Sequence, residues 1–206
     1  MTKRFSKRFV KALSLFVAAA GLAVMAGWLF DISVLKSLTP AWVSMKFTTA
    51  VAFAASGVSL FFIVRMMEGE FDMAQVVLSL TSLTIALLMG VVFCSAVFGI
   101  PTGIENLFVK ETGEVRSVVP GRPSVPTMIN FLLMALAAML TLRHPARLLQ
   151  KLKIIGIILC LTGALAAAGY VFNLPLLYYY ITGVNSAMAL HTALLFVMLG
   201  TGLVCL

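Results

Sequence analysis

The sequence predicts an all-α integral membrane protein whose six transmembrane helices form three repeated helical hairpins. Hydrophobic residues make up 62% of the 206-residue chain and charged residues 11%, against about 25% charged residues in soluble domains. The apolar residues lie in six continuous runs, each long enough to cross a bilayer as a helix, and none alternates as the strands of a β-barrel do. A Thr followed four residues later by a Phe recurs in the second run of each successive pair, which indicates an internal repeat.

The first helix is predicted over 9–30, directly after a basic amino terminus. This run also resembles a signal peptide, but it is longer than a typical signal core, so we interpret it as a retained anchor. The other helices are predicted over 42–64, 74–100, 125–142, 152–172 and 187–206. Little chain is left outside them, and we expect a single membrane domain, 1–206, made of repeats at 9–64, 74–142 and 152–206.

The basic residues predict the orientation of these helices. Ten of them lie on the side that holds both termini: Lys3, Arg4, Lys7, Arg8, Lys11, Arg65, Arg143, Arg147, Lys151 and Lys153. The other side has five: Lys36, Lys46, Lys110, Arg116 and Arg122. We therefore expect both termini in the cytoplasm. The formal net charge is +8, but the Lys and Arg residues lie mainly beside the apolar runs, where they fix the orientation of the helices. This placement argues against a nucleic-acid partner.

The three copies of the second helix share one face of Thr, Phe and a small residue at spacings of four. These positions are Thr49, Phe53 and Gly57 in the first copy, Thr127, Phe131 and Ala135 in the second, and Thr192, Phe196 and Gly200 in the third. Such a stripe favours close helix packing in lipid, and a repeated ligand site is the alternative. The first helices end near Trp28, Phe98 and Tyr170, which predicts aromatic residues at the outer interface.

The second repeat contains the longest linker, a mixed-charge segment at 104–120. An insertion of this kind is expected in an external loop. It would either cap the outer face or form a solvated excursion.

The chemical inventory of the sequence is short. Cys94, Cys160 and Cys205 have no paired spacing, so neither a disulfide framework nor a metal cluster is indicated. Nucleotide-binding fingerprints, nucleophile elbows and zinc-protease motifs are absent from the sequence. We therefore predict that the chain is not an enzyme.

His191 is the ionisable residue within the predicted spans that suggests a site, because polar groups in a membrane usually face the bundle or water. Its expected surroundings are Asp31, Lys46, Asn130 and Asn173. The imidazole could hydrogen-bond the carbonyl of a quinone or another lipophilic ligand, contact a haem edge, or sense periplasmic pH. The alternative is an interhelical hydrogen bond. A second intramembrane histidine is missing, which argues against haem held by two histidines.

Three segments of the sequence resemble a known membrane region. SAMALHTALLFVMLGTGL at 186–203, GRPSVPTMINFLLMALAAML at 121–140 and SMKFTTAVAFAASGVSL at 44–60 are similar to helices of the multi-span amino-terminal input region of bacterial PAS-linked sensor histidine kinases and diguanylate cyclases. The stretch MALHTALLF, at 188–196, resembles the closing helix of that region. Thr48 and Pro126 occupy the place of His191 in the other copies, so a threefold-symmetric site is not expected.

This resemblance implies a sensory input domain in the bacterial cytoplasmic membrane that detects a membrane-soluble or periplasmic cue. The sequence ends at Leu206 without an output domain, so we expect the chain to act through other membrane or signalling proteins, with the lipid bilayer as its surroundings. The alternative is an accessory or structural subunit of a larger membrane protein complex. Small-residue stretches at 18–27 and 163–169 could serve contacts of either kind.

Overall fold

Seven helices account for nearly all the regular structure in the part of the chain that the computed structural model describes. That part comprises residues 2–39, 42–100, 102–104 and 117–206, with the backbone alone for 2–5. The helices are α1 (Thr2–Leu29), α2 (Ser33–Lys36), α3 (Phe47–Met67), α4 (Asp72–Phe98), α5 (Val125–Arg143), α6 (Leu148–Val171) and α7 (Leu190–Val204). Within these ranges the β-structure is one isolated bridge between Ile181 and Asn185. The predicted loop at 104–120 lies mostly outside the described residues, as do Lys110 and Arg116.

Five of these helices are long and apolar enough to cross a membrane: Ser6–Leu29 of α1, and the whole of α3, α4, α5 and α6. The chain is therefore a multi-pass, all-helical integral membrane protein. The helix α7 is also apolar but has 15 residues. At 1.5 Å per residue it is roughly 22 Å long, which is less than the hydrocarbon core of about 30 Å.

Two helices begin later than the sequence predicts. The predicted spans 42–64 and 187–206 are helical only from Phe47 and Leu190, because the residues directly before them are extended. The residues directly before α3, α5 and α7 have nearly the same backbone angles. These are φ −65° and ψ 148° at Lys46, −65° and 150° at Ser124, and −66° and 149° at Ala189. Hydropathy does not separate these segments from the helices because their apolar side chains are buried as well.

The helices pack as three successive pairs. The most extensive contacts join α1 to α3, α4 to α5 and α6 to α7. In the most apolar stretch of each helix, 67% of α3 and 50% of α5 are buried, but only 28% of α1, 28% of α4 and 33% of α6. Thus α3 and α5 lie inside, together with α7, while α1, α4 and α6 lie outside. We call the end at which α3, α5 and α7 begin the entry end, and the end at which α1 begins and α7 ends the terminal end.

Three phenylalanines from three different pairs meet between the inner helices. The ring centroids are 4.7 Å apart for Phe53 and Phe131, 4.8 Å for Phe53 and Phe196, and 4.9 Å for Phe131 and Phe196. All three side chains are fully buried. Tilted and edge-on contacts at these distances are the favoured geometry of aromatic pairs. The Phe positions that align in the sequence therefore meet in a single cluster, the Phe triad.

Glycines bring the backbones of two of the pairs into contact. A Cβ added at Gly57 of α3 would lie 2.5 Å from the backbone nitrogen of Ala18 and 2.6 Å from the carbonyl oxygen of Ser14, both in α1. Gly200 of α7 makes the same kind of approach to the carbonyl oxygen of Gly156 in α6. In the α4–α5 pair the nearest atom to a Cβ at Gly90 is 4.0 Å away. The middle pair is therefore the loosest of the three, since α5 carries Ala135 where α3 and α7 carry glycine.

The first and third pairs have equivalent hydrogen bonds at their entry ends. Trp28 Nε1 donates to the carbonyl oxygen of Met45 at 2.8 Å, and the hydroxyl of Tyr170 donates to that of Met188 at 2.9 Å. Each acceptor lies two residues before the first residue of a helix, α3 for Met45 and α7 for Met188. The backbone hydrogen bonds match in the same way. The N–H of Ile32 donates to the carbonyl oxygen of Gly27 and that of Leu174 to Gly169, both at 2.8 Å. The N–H of Met45 donates to the carbonyl oxygen of Lys36 and that of Met188 to Tyr178, both at 2.9 Å.

Candidate functional site

An apolar groove runs between α1 and α7 and is bounded at the entry end by α2. Its volume is about 540 Å³, within the range of small-molecule sites. The lining residues are Phe16, Ala20, Ala23 and Val24 of α1, Val34, Leu35 and Leu38 of and after α2, and His191, Leu194, Leu195, Val197 and Met198 of α7. Several of these side chains, such as Val34, are also exposed on the outer surface, so the groove opens sideways.

The groove exists because α1 and α7 belong to different helix pairs. The backbone of α1 contacts α3 through Gly21 and Gly57, and α7 contacts α6 through Gly200. The faces that α1 and α7 turn towards each other meet less extensively. On this face α1 carries Ala20 and Ala23, whose small side chains leave space between the helices.

Among the described residues that line the groove, His191 supplies the only ionisable side chain. It lies in the first turn of α7, and its Nε2 is buried without a hydrogen-bond partner among the described residues. Leaving a buried polar atom unpaired costs about 1–3 kcal/mol. The groove thus combines an uncharged, apolar wall with one imidazole whose hydrogen bonding is incomplete.

The structure does not gather the other four predicted ligand residues around this groove. Asn130 is buried on α5, where its Nδ2 donates to Oγ1 of Thr162 on α6 at 2.7 Å. Its Oδ1 is buried without a partner in the described chain. Asn130 therefore joins α5 to α6. Ligand binding by this residue stays a prediction.

Asp31 and Asn173 are exposed and occupy equivalent turns after α1 and α6. Both have left-handed backbone angles, with φ of 57° and 54°, a conformation that Asp and Asn tolerate better than most residues. The carboxylate of Asp31 forms an ion pair with Lys36. The hydrogen bond and the charge of Lys36 hold the pKa of Asp31 below its ordinary value.

Lys46 lies at the entry end, beside the three threonines that align in the sequence. Thr49, Thr127 and Thr192 line one small cavity together with Lys46, and each is about 2% exposed, against 4% for Lys46. The cavity measures about 10 Å³, roughly the space of one water molecule. The structure therefore places Lys46 with the aligned threonines, in a cavity that His191 does not line. All eight predicted packing residues, namely Thr49, Phe53, Gly57, Thr127, Phe131, Thr192, Phe196 and Gly200, are buried.

Most of the groove residues have no chemical signature in the sequence. Val34 and Leu38 look like ordinary linker residues, and Ala20 stands out only as part of the small-residue stretch at 18–27. The signal that could have pointed to them is the pair of alanines on α1, which lie three residues apart on one helical face.

Metal binding has no clear candidate in the described ranges, where no three His, Cys, Asp or Glu side chains come together. Cys94, Cys160 and Cys205 are free thiols. Comparison of the chain with protein-family models, with curated proteins and with solved structures found no match.

Proposed function

We propose that this chain is a non-catalytic sensory input module of a bacterial cytoplasmic membrane. In this proposal six helices cross the bilayer as three repeated hairpins, and the terminal end faces the cytoplasm. A membrane-soluble cue enters the groove between α1 and α7. The response passes to a partner protein at the terminal end.

Six crossings are supported by the segment that precedes α7. The four non-helical residues 186–189, of which Ala189 is extended, could add up to about 13 Å to the roughly 22 Å of α7, and the sum exceeds the hydrocarbon core of about 30 Å. The helix α3 is likewise preceded by four non-helical residues, 43–46, the last of which is extended. The repeat is supported by the matching residues before α3, α5 and α7, by the Phe triad, and by the shared hydrogen bonds at the entry ends of the first and third pairs.

The groove is the observation that carries the sensory proposal. Its walls come mainly from α1 and α7, which belong to different pairs. An occupant that separates α1 from α7 would therefore move one helix pair relative to another. In a continuous two-helix interface, by contrast, an occupant would have to break tight backbone contacts of the kind seen at Gly57 and Gly200.

The same two helices meet again at the terminal end, where a partner protein would bind and respond to their relative positions. The hydroxyl of Ser6 on α1 donates to the carbonyl oxygen of Cys205, directly after α7. Lys11 of α1 forms an ion pair with Glu68, directly after α3, at 2.6 Å. The start of α1 is thus tied to the ends of both α3 and α7. A shift of α1 at the groove should change the Ser6–Cys205 contact while the tie to α3 holds.

A groove-filling substitution tests this coupling without a ligand. Nitroxide labels on Cys205 and on Arg8→Cys, both exposed, report the distance between α1 and α7 at the terminal end by pulsed electron paramagnetic resonance. The background carries Cys94→Ser and Cys160→Ser, and the protein is held in phospholipid nanodiscs. We expect Ala20→Phe to shift the distance distribution, because the added ring occupies the groove.

The matched control is Ala19→Phe, which adds the same ring one residue earlier on the exposed side of α1. It should leave the distribution as in the parent protein. Equal distributions for the parent and Ala20→Phe, in protein that remains folded by circular dichroism, would contradict the proposal.

A second candidate is an accessory subunit of a membrane complex, and it is favoured by the open side of the same groove. Large side chains from a neighbouring helix would fit against Phe16 and Leu194, which are 57% and 46% exposed. Extraction in a mild detergent separates the two functions. Migration with other polypeptides at fixed stoichiometry supports the subunit, and a free monomer or dimer supports the input module.

A further inference from the structure

We infer that the groove binds an uncharged lipophilic carbonyl compound of the quinone class, with its ring carbonyl hydrogen-bonded to the imidazole of His191. This inference rests on the proposed function, because it names the chemistry of the cue that the groove would receive. The observations behind it are the shape of the groove, its lack of charge and the position of its one imidazole.

The shape suits a ring with a chain attached. Along α1 the lining runs from Val24, near the entry end, to Phe16, a rise of roughly 12 Å. His191 lies at the entry end of this path, in the first turn of α7. A ring held there would leave the rest of the groove to a prenyl chain, and the sideways opening would let a longer chain continue into the hydrocarbon of the bilayer.

The lining excludes charged occupants. No Lys, Arg, Asp or Glu is among the groove residues in the described part of the chain, so a phosphate head group would lose its hydration without a compensating cation from them. At the entry end Val34, Leu35 and Leu38 cover the groove with aliphatic side chains. This cover leaves room for a compact, neutral polar group rather than for a phospholipid head.

The imidazole provides the one hydrogen bond that such a ligand needs. Nε2 of His191 is buried and unpaired in the described protein, and His191 is one of the residues that line the groove. In the proposed complex the ring is rotated about the Cβ–Cγ bond so that Nε2 faces the groove. The N–H of a neutral imidazole can then donate to a carbonyl oxygen, which removes the cost of the unpaired atom.

Binding of decylubiquinone tests the inference, with decylbenzene as a probe that shares the chain but lacks the carbonyls. Both are titrated into the protein in phosphatidylcholine nanodiscs by isothermal calorimetry. We expect decylubiquinone to bind at least fivefold more tightly than decylbenzene, which is the effect of about one hydrogen bond. His191→Ala should remove this preference, and His191→Gln, which keeps an N–H donor, should restore part of it. Ala20→Phe should abolish binding of both probes, whereas Ala19→Phe should leave both unchanged.

The outcomes separate the inference from the proposed function. Equal affinity for the two probes, insensitive to His191→Ala but lost in Ala20→Phe, would overturn the quinone class and leave the sensory groove in place. The inference would also be overturned if neither probe binds. The same holds if native mass spectrometry finds a retained phospholipid that decylubiquinone does not displace. The proposed function is tested separately, and it is contradicted if Ala20→Phe leaves the label distances unchanged.

Discussion

At the scale of single residues, the protein relies on side chains that meet across helix pairs. The Phe triad joins one ring from each pair, and Asn130 joins α5 to α6 through Thr162. In lipid such contacts carry more of the association energy than burial does, because the surroundings are as apolar as the interior. Single substitutions at these points should therefore have large effects.

Phe131→Ala should destabilise the folded protein by about 3 kcal/mol, because it removes the contacts of a fully buried ring and leaves a cavity between α3, α5 and α7. The free energy of unfolding can be measured by titration of mixed micelles with sodium dodecyl sulfate. Phe98→Ala is the matched control, since that ring is 71% exposed, and it should change stability by less than about 0.5 kcal/mol. Similar losses for the two variants would show that the triad has no special role in packing.

The candidate site was only partly predictable from its residues. His191 stands out in the sequence because an ionisable group in an apolar helix is rare. Its neighbours in the groove do not stand out, since Ala20 and Leu38 are as common in lipid-facing positions as in a binding wall. Asp31 and Asn173 were grouped with His191 by sequence, but they lie in exposed turns and are not among the residues that line the groove.

At the scale of helices, small residues set how closely each pair packs. The α1–α3 and α6–α7 pairs bring backbone against backbone at Gly57 and Gly200, and the α4–α5 pair does not at Gly90. Hydropathy predicted the helices well because long apolar runs in lipid must satisfy their backbone internally. It failed at residues 42–46 and 187–189, which are apolar in large part but not helical, and it missed the four-residue α2.

Alanine substitutions should change the stability of the protein in opposite directions at Gly57 and Gly200 on the one hand and at Gly90 on the other. Gly57→Ala and Gly200→Ala should destabilise the protein by about 1–3 kcal/mol, because the new Cβ would overlap backbone atoms of the neighbouring helix. Gly90→Ala should stabilise it by up to about 1 kcal/mol, since its Cβ meets nothing closer than 4.0 Å and alanine is the better helix former. The same detergent titration measures all three. A loss of stability in Gly90→Ala as large as in Gly57→Ala would contradict this account of the pairs.

At the scale of the whole molecule, the proposed topology places Cys205 and the loop before α7 on opposite sides of the membrane. Val184 in that loop is 74% exposed, and Cys205 is exposed at the terminal end. A membrane-impermeant maleimide should label Cys205 only in inside-out vesicles and Val184→Cys only in right-side-out vesicles, in a background with Cys94→Ser and Cys160→Ser. Labelling of both positions from the same side would mean that α7 does not cross.

The Phe triad also has an electrical consequence. An ion that moved along the axis between α3, α5 and α7 would have to shed its water against three interlocking hydrocarbon rings, and a bare charge in such surroundings costs many kcal/mol. The axis is therefore insulated, while an oily molecule can still reach the flank of the bundle from the lipid. Under the proposed function, a ligand would therefore reach its groove from the lipid without opening a path for ions along this axis.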